Sequence, residues 1–102
     1  MANHPLTAGQ VGAYEFTLAA STVDSVTFAD DLDGVEVVSH DGAAAVYFTV
    51  DGSTPTVAGA GCWVIPAAPS ALSVDVPTAG GTVVKLISSG TPRVSVARPG
   101  RR

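Results

Sequence analysis

Apolar and polar residues alternate with a period of two along most of this chain, in short runs separated by turn residues. Tyr14, Phe16 and Leu18 alternate with Glu15 and Thr17, and Val26 and Phe28 with Ser25 and Thr27. Val35, Val37 and Ser39 alternate with Glu36, Val38 and His40, and Val46, Phe48 and Val50 with Ala45, Tyr47 and Thr49. Cys62 to Ile65 is a short run closed by Pro66. Leu72, Val74 and Val76 follow, closed by Pro77, then Val83, Val84, Leu86 and Ile87, and finally Val94 and Val96. A strand buried on one face has this period, because successive side chains point to opposite sides of the pleat. The breaks are turn-formers: Ser21–Thr22, the acidic Asp30–Gly34 segment, Asp41–Gly42, Asp51–Gly52, Gly80–Gly81 and Ser88–Gly90. Asp-Gly is the dipeptide of a tight hairpin, since its glycine accepts positive φ. The pattern predicts about eight strands at roughly ten-residue spacing, antiparallel through their short connections, and hence a β-sandwich or small barrel.

No stretch offers a convincing amphipathic helix; Ala43–Ala45 and Ala67–Ala71 are short and close to Gly or Pro. Pro5, Gly9 and Gly12 discourage regular structure near the start. The expected organisation is an extended N-terminal arm over 1–12, one sandwich domain over 13–98 and a basic tail over 99–102. Apolar residues make up 46% of the chain and charged residues 14%. The charged share is well below the ~25% usual for globular proteins, so much of the surface is Ser, Thr, Gly and Ala. Natural sheet edges are often guarded by lysine. This chain has one, Lys85, so its edges are either distorted or covered by a partner.

Charge is divided along the chain. Lys85, Arg93, Arg98, Arg101 and Arg102 are all the Lys and Arg residues, and the nine acids, from Glu15 to Asp75, all precede them. The net charge of −4 argues against nucleic-acid binding, which needs many cations against phosphate. Arginine suits carboxylate contacts instead. A basic end of this kind fits docking onto an acidic protein surface, a sister copy included. The single Cys62 excludes an intrachain disulfide and a cysteine-based zinc site, and a free thiol fits a reducing cytoplasm. Met1–Gln10 lacks the basic and apolar regions of a signal peptide, and no apolar run reaches the ~20 residues of a membrane-spanning helix, so no membrane partner is expected.

Residues capable of chemistry are few. Asp30, Asp31, Asp33 and Glu36, with Asp24 nearby, gather carboxylates of the kind calcium takes. The spacing lacks a third ligand and the closing Glu of an EF-hand, so a solvated acidic turn is expected, or one that receives a neighbour's Arg93 or Arg98. His40 beside Asp41 suggests a base oriented by a carboxylate, but neighbours in a strand point apart, and His40 is expected at the surface. No serine has an evident triad partner, and no G-x-S-x-G elbow occurs. Cys62 has apolar neighbours and is expected to be buried and inert. Trp63 is expected in the core; in a sugar-binding module it would be the first choice for stacking on a ring. Gly59-Ala60-Gly61 precedes no helix and is not a phosphate cradle. No catalytic residue, metal or cofactor is expected.

Two resemblances add to this reading. Val46-Tyr47-Phe48-Thr49-Val50-Asp51-Gly52-Ser53-Thr54-Pro55-Thr56 resembles a segment of the immunoglobulin-like C-terminal modules of chitobiase-type glycosidases. That resemblance implies an immunoglobulin-like antiparallel sandwich and brings no catalytic residue. Leu6–Gln10, Thr22–Phe28, the Asp51–Thr56 turn and Thr82–Pro92 together resemble small virion proteins of tailed phages infecting actinobacteria, over most of the chain. This implies a non-enzymatic capsid decoration protein, made in the host cytoplasm and carried on the virion, whose partners are the major capsid protein and sister copies. The residues expected at those contacts are Leu6, Gln10, Arg93, Arg98, Arg101 and Arg102. A tail or head–tail connector component is the alternative within that class, and a carbohydrate-binding immunoglobulin-like module using Trp63 and Tyr47 is the alternative outside it. Deleting residues 98–102 or 2–10 is expected to lower incorporation into virions, and docking through the arginines is expected to weaken as salt rises; normal occupancy in purified particles after both deletions would refute the arm-and-tail expectation.

Overall fold

The computed structural model describes residues 3–6, 12–28, 34–50, 52–57, 59, 62–68, 70–75 and 82–97. Nine strands form among them: β1 (Asn3–Leu6), β2 (Gly12–Thr17), β3 (Asp24–Phe28), β4 (Gly34–Ser39), β5 (Val46–Thr49), β6 (Trp63–Ile65), β7 (Ser70–Asp75), β8 (Thr82–Ser88) and β9 (Arg93–Ala97). They build two sheets, one in the order β1-β3-β8-β5-β6 and one in the order β2-β9-β4-β7. The two-sheet sandwich is the architecture that the alternation predicts. Every pair is antiparallel except β1 with β3, where Asn3–Leu6, within the segment expected as an arm, runs parallel to Ser25–Phe28.

The connectivity is that of a jelly roll. The second strand pairs with the ninth, the third with the eighth, the fourth with the seventh and the fifth with the sixth, as in one long hairpin rolled across two layers. The Asp41–Gly42 turn is therefore not a hairpin: β4 lies in one sheet and β5 in the other. Gly42 takes φ 61° and Gly52 φ 86°, so the glycines do supply the left-handed backbone that the dipeptides promise. At Asp41–Gly42 it turns the chain between layers, because β5 finds its partners in β6 and β8.

Alternation places the core. Val26 and Phe28 of β3, Val46 and Phe48 of β5, Ile65 of β6, and Val84 and Leu86 of β8 point inward from one sheet. Val35 and Val37 of β4, Val74 of β7, and Val94 and Val96 of β9 meet them from the other, with Leu18 and Val50 at strand ends. Phe16 and Leu72 pack against this cluster from its margin. Each fully buried side chain of this size contributes about 1.5–3 kcal/mol from its removal from water.

Two inward serines interrupt the apolar faces, and they differ in kind. Ser88 is fully buried and is the joint of three crossings. Its Oγ donates to Ala45 O at 2.6 Å, on the β4–β5 crossing, and accepts from Gly90 N at 3.3 Å, on the β8–β9 crossing. Its carbonyl accepts from Ser21 N at 2.7 Å, on the β2–β3 crossing, where Ser21 itself takes φ 53°. Ser39 is also buried, opposite Val94 and Ser70, and its Oγ has no hydrogen-bond partner. An unmatched buried hydroxyl costs about 1–3 kcal/mol, whereas a matched one gives up its partners when removed. The two alanine substitutions should therefore act in opposite directions. Ser39→Ala is expected to raise the urea midpoint, and Ser88→Ala to lower it by the equivalent of about 1–3 kcal/mol, both with unchanged m-values.

Candidate functional site

The residues expected to bind a partner do not gather in one place among the described residues. Leu6 ends β1, opposite Phe28 of β3 at the rim of the five-stranded sheet. Arg93 opens β9, exposed, in the other sheet. Gln10, Arg98, Arg101 and Arg102 lie outside the described residues, as do Asp30, Asp31 and Asp33.

Arg93 is held by its backbone. Asp41 Oδ1 accepts from Arg93 N at 3.2 Å and from Ala43 N at 3.3 Å, and the carbonyl of Arg93 accepts from His40 N at 2.9 Å. These backbone bonds, first that of Arg93 and then that of Ala43, hold the Asp41 carboxyl below its ordinary value, and the Arg93 charge lowers it further. Asp41 thus pins the β4–β5 crossing to the start of β9. It does not orient the His40 ring, whose Nε2 lies 2.6 Å from Ser95 Oγ. That contact joins residues far apart in sequence, and it arises because β4 and β9 pair with Val38 opposite Ser95. His40 is exposed, as expected, but Ser95 is buried between its neighbouring strands and offers no open nucleophile. Among the described residues no group of three or more His, Cys, Asp or Glu side chains is placed to hold a metal ion.

The exposed apolar residues lie elsewhere, in and just before β6. Trp63 is 49% exposed, Val64 48% and Val57 38%. Trp63 was expected in the core. Register sets it opposite the fully buried Phe48, yet β6 is the outermost strand of its sheet, so nothing in that sheet lies beyond it. Val64, opposite Tyr47, belongs to the other side of the same strand. The loop leading into β6 is folded back on itself. Thr49 Oγ1 donates to Ser53 O at 2.6 Å, Gly59 N donates to Thr56 O at 3.0 Å, and Pro55 is buried. Cys62, expected to be buried, is half-buried, its Sγ 3.9 Å from Thr56 O. From Gly52 to Val74 the chain carries no charged residue. Among the described residues the arrangement provides no acid–base pair; it provides exposed apolar side chains on and before an uncharged rim strand.

No protein-family model matches the chain, and no curated protein matches it in sequence. In three dimensions it is similar to a carbohydrate-binding module from a sugar cane soil metagenome, solved with cellopentaose and a gadolinium ion. The identity is 14% and the TM-score 0.58, over 92% of this chain and 91% of that one. It is also similar to a periplasmic inhibitor of g-type lysozyme from Salmonella Typhimurium, at 17% identity and TM-score 0.51, over 94% of this chain and 98% of that one. At these identities the likeness shows a shared β-sandwich fold. Neither of the two is a virion protein, so the virion expectation rests on the sequence resemblance.

The clamp at Asp41 predicts a pH dependence. A carboxylate whose folded pKa is depressed stabilises the fold above its unfolded pKa, and that contribution is lost as pH falls through the folded value. Asp41→Ala should lower the melting temperature at neutral pH. As pH falls below the ordinary aspartate range, the difference between wild type and variant should shrink, because the wild type then loses the same contacts.

Proposed function

We propose that this chain is a non-catalytic docking module that works by surface contact, and that its setting is the outer surface of a tailed-phage capsid, as a decoration protein bound to the capsid lattice. The observation that carries the docking reading is the half-exposed Trp63–Val64 rim in an uncharged stretch of chain. Tryptophan is over-represented among the residues that dominate protein interfaces, where a large ring fills a pocket in the partner. The neighbours of Trp63 along the chain support a protein partner: Val64, Ile65, Pro66, Ala67 and Ala68 have no side-chain donors or acceptors to orient a sugar's hydroxyls. The virion setting is supported by the sequence resemblance and by the jelly roll, an architecture used by viral capsid and lectin domains alike. Many weak copies of one contact would stabilise a shell, since binding favours the assembled state. In this reading Arg93 and the basic end add charge contacts to the capsid or to sister copies. The tail or head–tail connector setting differs in copy number per particle.

A second reading, a carbohydrate-binding module, is favoured by the exposure of Trp63 and by the fold shared with a module that binds cellopentaose. The two readings separate on one variant. Trp63→Ala should cut incorporation into capsids by about tenfold or more, as expected for a central interface tryptophan worth at least ~2 kcal/mol, while wild-type protein shows no saturable binding to cellopentaose in calorimetry. Saturable binding lost in Trp63→Ala, with incorporation unchanged, would replace the capsid reading by the carbohydrate one.

A further inference from the structure

Four strands stand at the rims of the two sheets: β1 and β6 in one, β2 and β7 in the other. A rim strand presents unpaired N–H and C=O groups to any passing chain, and proteins blunt such rims by proline, lysine, bulges or shortness. Three of the four are blunted here. β1 carries the exposed Pro5, which has no N–H to offer. β2 is broken by a bulge between Ala13 and Phe16, against β9. β6 is three residues long. β7 has none of these devices. Its register with β4 is unbroken from Ser70 to Asp75, its one charged residue is the last, Asp75, it contains no Lys, Arg or Pro, and Ala71 and Ser73, both small, are exposed. β6 lies beside it, so the half-exposed Trp63 and Val64 belong to the same flank of the sandwich.

We infer that β7 is the pairing edge of a homodimer: two copies meet flank to flank about a two-fold axis, their β7 strands antiparallel, with Trp63 beside the seam. This rests on the docking reading above and names its first partner as a second copy. Charge selects that occupant. The part of the chain before Lys85 carries all nine carboxylates and no Lys or Arg, so wherever two charged groups from that part of two copies meet they are of like sign. The stretch from Gly52 to Val74 carries no charge and meets itself without that penalty. A two-fold axis requires antiparallel self-pairing. Side chains directly opposite in an antiparallel pair share a face, so the axis passes through one residue; placed at Leu72 it sets Ser70 of one copy opposite Val74 of the other and Ala71 opposite Ser73, and leaves the two Asp75 residues beyond the paired positions. The four-stranded sheets then continue into one of eight.

The test is the mass of the purified chain by light scattering across a concentration series at low and high salt. The expected result is a dimer that persists as salt rises, because the seam is uncharged. Ala71→Lys with Ser73→Lys, both at exposed positions, should weaken association by more than about tenfold through like charge across the seam while leaving the circular dichroism spectrum unchanged. If that variant fails to fold, hydrogen exchange on wild type decides: β7 amides on the free edge should gain protection as concentration rises. A monomer at all concentrations, a dimer that dissociates with salt, or β7 exchange independent of concentration would each overturn the inference. A monomer whose Trp63→Ala variant still loses capsid incorporation would overturn the homodimer alone and leave the docking reading standing.

Discussion

Ser88 is the joint on which this sandwich turns. Two sheets joined by short crossings must pass the chain repeatedly through the end of the core, where backbone groups leave their ladders and are cut off from water. Unmatched, each such group would cost about as much as the burial of an apolar side chain gains. Ser88 answers three crossings at once, through its carbonyl to Ser21 and through its hydroxyl to Ala45 and Gly90. Asp41 performs the same service from the surface, for Arg93 and Ala43. Leu18 N adds a bond to Pro92 O across the same end. The apolar core fills because this end is held, and the fixed register of β4 and β9 then sets His40 against Ser95.

With that end held, the two flanks of the sandwich differ. On one, β1 and β2 present a proline and a bulge; on the other, β6 and β7 present a tryptophan, a valine and an undisturbed strand edge. In the proposed dimer the second flank stays bare because a charge there would prevent the pairing. The absence of charge from Gly52 to Val74 is the same asymmetry written in the chain itself.

Much of the fold was legible in the sequence. Period-two alternation marked the inward residues of β3, β4, β5, β7 and β9, and the turn residues marked where strands stop. Connectivity was not legible, because Asp-Gly supplies positive φ equally to a hairpin and to a crossing between layers, and local chemistry does not distinguish them. β1 escaped because four residues with a proline have no period of their own; a neighbour's free edge makes them a strand. Trp63 was misread for a related reason: alternation tells which side of a strand a residue occupies, not whether another strand lies beyond. The Ser95 contact of His40 depends on pairing between distant strands and has no local signature. Of the proposed contact surface, the uncharged stretch was there to be read, while its position on a flank required the strand order.

The order of pairing has a consequence in time. Because the second strand closes on the ninth and the third on the eighth, the outermost contacts join residues nearly a whole chain apart. Such contacts repay the entropy of closing a long loop only once both partners exist, and folds built from them form slowly. The early strands, apolar on one face and free of lysine, must therefore wait for partners that are synthesised well after them. The innermost pair, β5 with β6, has the shortest loop and is the place where folding can begin.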